Sequence, residues 1–187
     1  MALLDYVDPE AADERTRELL AADAEYYDRP SLFARALAHD PAVLAARTEY
    51  HRRLVAEGDL DSRVLELVYL AVAATERSPY CVASHAERLV GEGFPSEGVE
   101  AVVRGDLSDL SERERAAVEF ARRVAHDPAG VDDTHLAALH DVGFDDAAVV
   151  RLLAVAAAAV AAAAIADALG IRPADRAEPF EGDPRGE

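Results

Sequence analysis

The run from Leu152 to Ala166 constrains the fold most, because its 15 residues are uncharged, mostly alanine, and bracketed by Arg151 and Asp167. A membrane-spanning helix needs about 20 apolar residues, and alanine contributes little transfer free energy, so we do not expect a membrane span. A helix that is apolar on every face is normally buried. We therefore predict a central helix covered by other helices or by a second subunit.

The other well-patterned segments also indicate helices, and none has the alternation of a strand. Asp61, Ser78 and the pair Ser111–Glu114 resemble N-terminal caps, while Gly58 and Gly105 resemble stops. Short connections between the segments favour an all-α bundle forming a single domain. We expect helices within residues 8–27, 31–40, 41–58, 62–77, 78–91, 96–105, 111–127, 132–143 and 145–170.

The charge is strongly acidic, with 37 acidic and 19 basic residues, a net charge of −18, and arginine as the basic residue throughout. This pattern favours a halophilic cytoplasm, where salt screens repulsion between surface charges. The alternative is an acidic partner-binding surface. Either surface disfavours nucleic acid and anionic membranes as partners. The acidic start "MALLDYVDPEAADER" does not resemble a secretory signal, and one cysteine cannot form an intramolecular disulfide, so we expect a cytoplasmic protein.

The cysteine stands in "SPYCVASHAERL", residues 78–89. Ser78 and Pro79 resemble the N-cap and first residue of a helix, with the Ser78 side chain accepting from a backbone N–H. Cys81 then lies in the first turn, where the helix dipole lowers a thiol pKa, and His85 follows on the same face. The alternative is a buried, inert cysteine with a histidine nearby by chance.

Other titratable residues carry a weaker signal. Glu66 lies among apolar residues, so it must be paired, protonated or near water. The alternative is a glutamate near the start of a helix that is merely stabilised by the helix dipole. Cys81 and His85 supply two metal ligands, and no other histidines have a helical i, i+4 spacing, so we expect neither a metal nor a cofactor. We interpret His51, His126 and His135 as ordinary helix-surface or helix-end residues.

The segment "LELVYLAVAATERSPYCVASHAERLV" resembles the signature of the carboxymuconolactone decarboxylase and alkylhydroperoxidase D-like family. That signature has a Glu in an apolar helix, a Cys-x-x-Cys, and a His four residues after the second Cys. Glu66, Cys81 and His85 match, and the flanks resemble the peroxidase-related branch. The resemblance implies an N-terminal helical extension over 1–29, an alkylhydroperoxidase D-like domain over 30–171, and an acidic tail over 172–187.

In the alkylhydroperoxidases of the family, the second cysteine attacks the peroxide, the first resolves the sulfenic acid, and Glu and His relay the proton. The resemblance implies these roles for Cys81, His85 and Glu66. This chain departs from the pattern, because Ser78 replaces the resolving cysteine and Tyr80 replaces the His before the second cysteine. We expect both to be supporting residues. An external thiol or dithiol must then regenerate Cys81.

Three functions remain open. The first is a peroxidase-related, antioxidant oxidoreductase that reduces hydroperoxides through Cys81. The second is a decarboxylase-like lyase or hydrolase that uses His85 and Glu66 as acid and base and needs no thiol. The third is a non-catalytic scaffold with a degenerate site. For any of them, the resemblance implies a homo-oligomer, whether dimer, trimer or hexamer.

Overall fold

The structure, a computed structural model, describes residues 2–27, 29–58 and 60–173, and this part of the chain contains nine α-helices and no strand. The prediction of a single all-α domain is therefore confirmed. Of the predicted acidic tail, residues 174–187 lie outside the described residues. The helices are α1 Glu14–Tyr27, α2 Leu32–Leu37, α3 Pro41–Ala56, α4 Ser62–Thr75, α5 Pro79–Gly91, α6 Ser96–Arg104, α7 Glu112–His126, α8 Asp133–Asp141 and α9 Asp146–Ala168.

The helix starts follow local capping chemistry. Asp61 accepts a hydrogen bond from Arg63 N at the start of α4, and Ser111 forms a capping box with Glu114 at the start of α7. The predicted start of the first helix is wrong, because α1 begins at Glu14 and not at residue 8. The Asp13 carboxylate accepts from Thr16 N at 2.8 Å, so it caps the helix where residues 9–12 still form turns.

Helix α4 forms the centre of the bundle, since every residue from Val64 to Ala73 is buried. It packs against α5, α7 and α9. Its partner α5 runs antiparallel to it, as predicted: Ser62 at the start of α4 is bonded to Glu92 just after α5, whereas Thr75 at its end is close to Pro79 in sequence. This pair of helices carries the residues that the sequence singles out.

Helix α9 contains the alanine-rich run 152–166, which the sequence predicts to be helical. One face is buried against α3, α4, α5 and α7, through residues such as Leu152, Val155 and Ala159. The opposite face is open in the single chain, with Val150 64% and Leu153 43% exposed. By length and composition alone α9 could cross a membrane, but this test is also passed by core helices of globular proteins. Coverage of its outer face by a second subunit stays a prediction.

Candidate active site

Glu66, Cys81 and His85 come together where α4 and α5 meet. His85 Nδ1 lies 2.8 Å from Glu66 Oε2, which joins the two helices by a buried hydrogen bond. Cys81 is 7% exposed and lies one turn before His85 on α5, and both residues border the same cavity. The structure therefore brings the three predicted residues into one site.

The Glu66 carboxylate is fully buried and paired, as one of the sequence interpretations required. Its Oε2 accepts from His85, while its Oε1 accepts from the Tyr26 hydroxyl and lies 2.9 Å from Arg88 Nε. The Arg88 Nε–H is not directed at that oxygen, so this contact is an ion pair and not a hydrogen bond. Burial alone would raise the pKa of Glu66, but the charge on His85, hydrogen bonds from His85 and Tyr26, and the charge on Arg88 hold it below its usual value.

The tautomer of His85 follows from this carboxylate. Because ionised Glu66 can only accept, Nδ1 of His85 carries the proton in their hydrogen bond. In neutral His85, Nε2 is then the nitrogen with a free lone pair. The ring is held flat against Tyr69, with centroids 4.7 Å apart and planes 6° apart. The arrangement fixes the ring and leaves Nε2 as a base.

A cavity of about 220 Å³ lies in front of Cys81 and His85. Its lining comes from α5 and from α1, α2 and α3, and α9 contributes Ala162. The lining is mainly apolar and aromatic, as in many small-molecule sites. It includes Tyr26, Tyr27, Phe33, Leu37, Leu44 and Val55.

Polar residues of α3 also line this cavity: Arg47, Thr48, His51 and Arg52. His51 is 8% exposed, so its interpretation as an ordinary surface histidine is wrong. Burial, together with the nearby charges of Arg47, His85 and Arg88, lowers the pKa of His51 to about 3, which keeps it neutral. Its Nδ1 lies 3.2 Å from the Tyr69 hydroxyl.

Ser78 and Tyr80 are both buried beside the site. Ser78 is the N-cap residue of α5, but the predicted side-chain cap bond is absent. Its hydroxyl instead lies 3.3 Å from the carboxylate of Asp167 on α9, and a charged acceptor competes well with a backbone partner. The Tyr80 hydroxyl accepts from Phe33 N at 3.2 Å, so Tyr80 joins α5 to α2 and lines the cavity.

The remaining histidines lie away from the site. His126 is exposed and His135 is half-buried beside Asp132, which agrees with their interpretation as surface or helix-end residues. Within the described residues, no group of three or more His, Cys, Asp or Glu side chains has the geometry to hold a metal ion.

Three residues of the site were not predicted from the sequence, Tyr26, Arg47 and Arg88, and a fourth, His51, was misinterpreted. Arg88 follows His85 by three residues, so its place on the same face of α5 was available as a signal. Arg47 and His51 have the same kind of signal on α3. Tyr26 had none, because its contact with Glu66 joins residues 40 positions apart.

The model of the carboxymuconolactone decarboxylase family matches residues 41–123, which include Glu66, Cys81 and His85. The predicted resemblance is thus confirmed, and the matched region runs from the start of α3 into α7, with α1, α2, α8 and α9 outside it. No curated protein sequence is significantly similar to the chain.

Solved structures with the same fold cover almost the whole chain. An alkylhydroperoxidase AhpD core, described as an uncharacterized peroxidase-related protein from Ralstonia eutropha JMP134, has a TM-score of 0.84 and 24% identity, with 92% of each chain covered. An uncharacterized peroxidase-related protein from Silicibacter sp. TM1040 has a TM-score of 0.83 and 19% identity, covering 97% of this chain and 95% of that one. A cysteine-to-alanine variant of the debrominase Bmp8, in complex with 2,3,4-tribromopyrrole, has a TM-score of 0.79 and 14% identity, covering 98% and 96%. At these identities the likeness establishes the fold, which extends beyond residues 41–123.

Proposed function

We propose that this protein is a peroxidase-related oxidoreductase that reduces hydroperoxides with Cys81 as its reacting thiol. The observation that carries the proposal is that Cys81 and His85 border one cavity, while Glu66 holds the other ring nitrogen of His85. A nucleophile, a base and a group that orients the base are the parts that an activated thiol requires.

In the first step, Nε2 of His85 accepts the Cys81 proton, directly or through a water. The thiolate attacks the terminal oxygen of the hydroperoxide, an S–O bond forms, and the O–O bond breaks. The leaving alkoxide takes the proton from His85 and departs as an alcohol, and Cys81 becomes a sulfenic acid. Ionised Glu66 stabilises the imidazolium of His85 while it holds the proton.

The second step needs a thiol from outside the chain. Ser78 occupies the position of the resolving cysteine, and its hydroxyl cannot form a disulfide. One external thiol attacks the sulfenic sulfur and releases water, and a second thiol breaks the mixed disulfide and restores Cys81. The electron donor is therefore a low-molecular-weight thiol or a protein dithiol.

A second candidate function is supported by the Glu66–His85 pair itself. The pair is buried and oriented without any part played by the thiol, so it suits acid–base chemistry by a lyase or hydrolase. Activity that survives Cys81→Ala would favour this function over the peroxidase.

The test measures the reactivity of Cys81 in high-salt buffer. Alkylation by iodoacetamide is followed against pH, and sulfenic acid formed after a pulse of cumene hydroperoxide is trapped with dimedone and quantified by mass spectrometry. We expect the alkylation midpoint to lie below the reference thiol pKa of roughly 8.5. His85→Asn should slow sulfenic acid formation by roughly 100-fold, the smaller end of a general-base contribution. The exposed His126→Ala is the matched control and should react like the natural protein.

A thiol that forms no sulfenic acid, or one whose rate is the same in His85→Asn, would overturn the peroxidase proposal. If lactone or carboxylic acid substrates are then turned over, the acid–base function takes its place. A protein inert in both assays would be the non-catalytic scaffold.

A further inference from the structure

Two buried nitrogen atoms on α3 have no hydrogen-bond partner in the described part of the chain: Nε of Arg47 and Nε2 of His51. Both residues line the cavity in front of Cys81. Their spacing of four residues places them on one face of the helix, one turn apart. Both side chains therefore reach the cavity from the same face of α3.

His51 offers a donor to the cavity. Burial raises the pKa of the Tyr69 hydroxyl, so Tyr69 stays protonated, and the acceptor that the described residues provide for it is His51 Nδ1. In this hydrogen bond Tyr69 donates, which puts the proton of the neutral His51 ring on Nε2. A buried N–H group without an acceptor is costly, and a bound ligand relieves that cost.

Arg47 adds a positive charge to this donor. None of the ion pairs in the described residues includes Arg47, and its guanidinium lies over the Phe33 ring, 5.7 Å from the ring centroid. Asp23 and Glu25 are the acidic residues that line the cavity. The charge of Arg47 acts on the Asp23 carboxylate, but that carboxylate accepts from Ser31 N at 2.7 Å and forms no ion pair with Arg47. The cavity is thus lined by the Arg47 cation, whose Nε–H has no acceptor among the described residues, and by the neutral N–H donor of His51.

We infer that Arg47 and His51 bind the acidic group of a small organic anion whose apolar body lies against Phe33, Leu37 and Leu44. A cavity of about 150 Å³ accommodates benzene. The larger volume here, about 220 Å³, suits one substituted ring that carries a carboxylate. The inference rests on the proposed function only where it directs the other end of the ligand toward Cys81, since anion binding itself does not depend on that chemistry.

The experiment measures binding by calorimetry at fixed high salt, with 4-methylbenzoate as the probe and 4-methylbenzamide as its uncharged analogue. We expect the acid to bind at least tenfold more tightly than the amide, because hydrogen bonds to a charged group are the stronger ones. Arg47→Met should remove that preference, and Arg47→Lys should retain most of it. The matched control is Arg53→Met, which removes the same charge from an exposed, ion-paired position on α3 and should leave both affinities unchanged.

Equal affinities for acid and amide, no measurable binding of the acid, or an unchanged preference in a folded Arg47→Met would each overturn the inference. Orientation is tested separately: bound 4-methylbenzoate should slow alkylation of Cys81 in the natural protein but not in Arg47→Met. Because cumene hydroperoxide is uncharged, its reaction with Cys81 tests the proposed function without involving Arg47. If the acid binds preferentially but no sulfenic acid forms, the proposed function has failed. If sulfenic acid forms but the acid has no preference over the amide, the anion-binding inference has failed.

Discussion

Replacing Arg88 with methionine tests whether the buried Glu66 carboxylate depends on its ion pair. Glu66 is fully buried, and Arg88 lies 2.9 Å from it with a side chain that is 25% exposed. Removing one partner of a buried pair costs about 3–5 kcal/mol of the free energy of unfolding. The hydrogen bonds from His85 and Tyr26 remain, and methionine replaces part of the lost packing. We therefore expect a loss of about 3 kcal/mol, at the lower end of that range.

Urea unfolding at fixed salt measures this loss. In a Glu66→Gln background the buried charge is gone, so Arg88→Met should cost about 2 kcal/mol less than it does in the natural protein. The control is Arg104→Met, which removes an exposed pair with Glu100 and should change stability by less than about 1 kcal/mol. The reasoning would be refuted if Arg88→Met had the same free energy of unfolding as the natural protein. It would also be refuted if Arg88→Met lowered that free energy equally in the natural and the Glu66→Gln backgrounds.

Arg88→Met should also change how the stability of the protein depends on pH. Because the pKa of Glu66 is lowered in the folded protein, its contribution to stability is fully present above the unfolded-state pKa, roughly 4.3. That contribution is lost as pH falls through the folded-state pKa. Without Arg88 the folded-state pKa rises, so acid unfolding of Arg88→Met should begin at a higher pH. An acid-unfolding midpoint that does not move would contradict this assignment of the charges.

The remaining predictions concern redox chemistry, the core and the surface. Ser78→Cys should form a disulfide with Cys81 after a hydroperoxide pulse, seen as two thiols lost to alkylation; retention of both thiols would contradict the proposed sulfenic acid. Leu70→Ala, at a fully buried position of α4, should lower the free energy of unfolding by about 3 kcal/mol in urea. If the acidic surface reflects a halophilic setting, the urea midpoint should rise steadily from low to molar KCl, and a flat response would count against that setting.

The helices could be predicted from the sequence because their ends depend on neighbouring residues. Ser111 and Glu114 cap α7 with atoms three residues apart, and such a motif is visible in the chain itself. The error at Ser78 has the opposite origin. Its hydroxyl chooses between a backbone N–H nearby and Asp167, 89 residues away, and only the packing of α9 on α5 brings that carboxylate within reach.

The candidate site was predictable to the same extent. Glu66, Cys81 and His85 lie on two consecutive helices, and the resemblance of their spacing to the family signature joins them into one site. His51 was misread because α3 has a weak apolar pattern, and the burial of this residue comes from Tyr26 and Tyr27 of α1, which pack against its ring. The division at residue 29 stays a prediction, although the segment before it contributes these two tyrosines to the cavity.

The cavity wall has a consequence for how a protein of this kind can change. The reacting residues are on α4 and α5, whereas the surface that faces them comes from α1, α2 and α3. Substitutions among the cavity-lining residues of α2 and α3 can therefore alter which molecule binds without removing a hydrogen-bond partner of Glu66. Selectivity and reactivity are then separate targets for mutation, so we expect a library confined to residues lining α2 and α3 to yield variants with new ligand preferences and an unchanged Cys81.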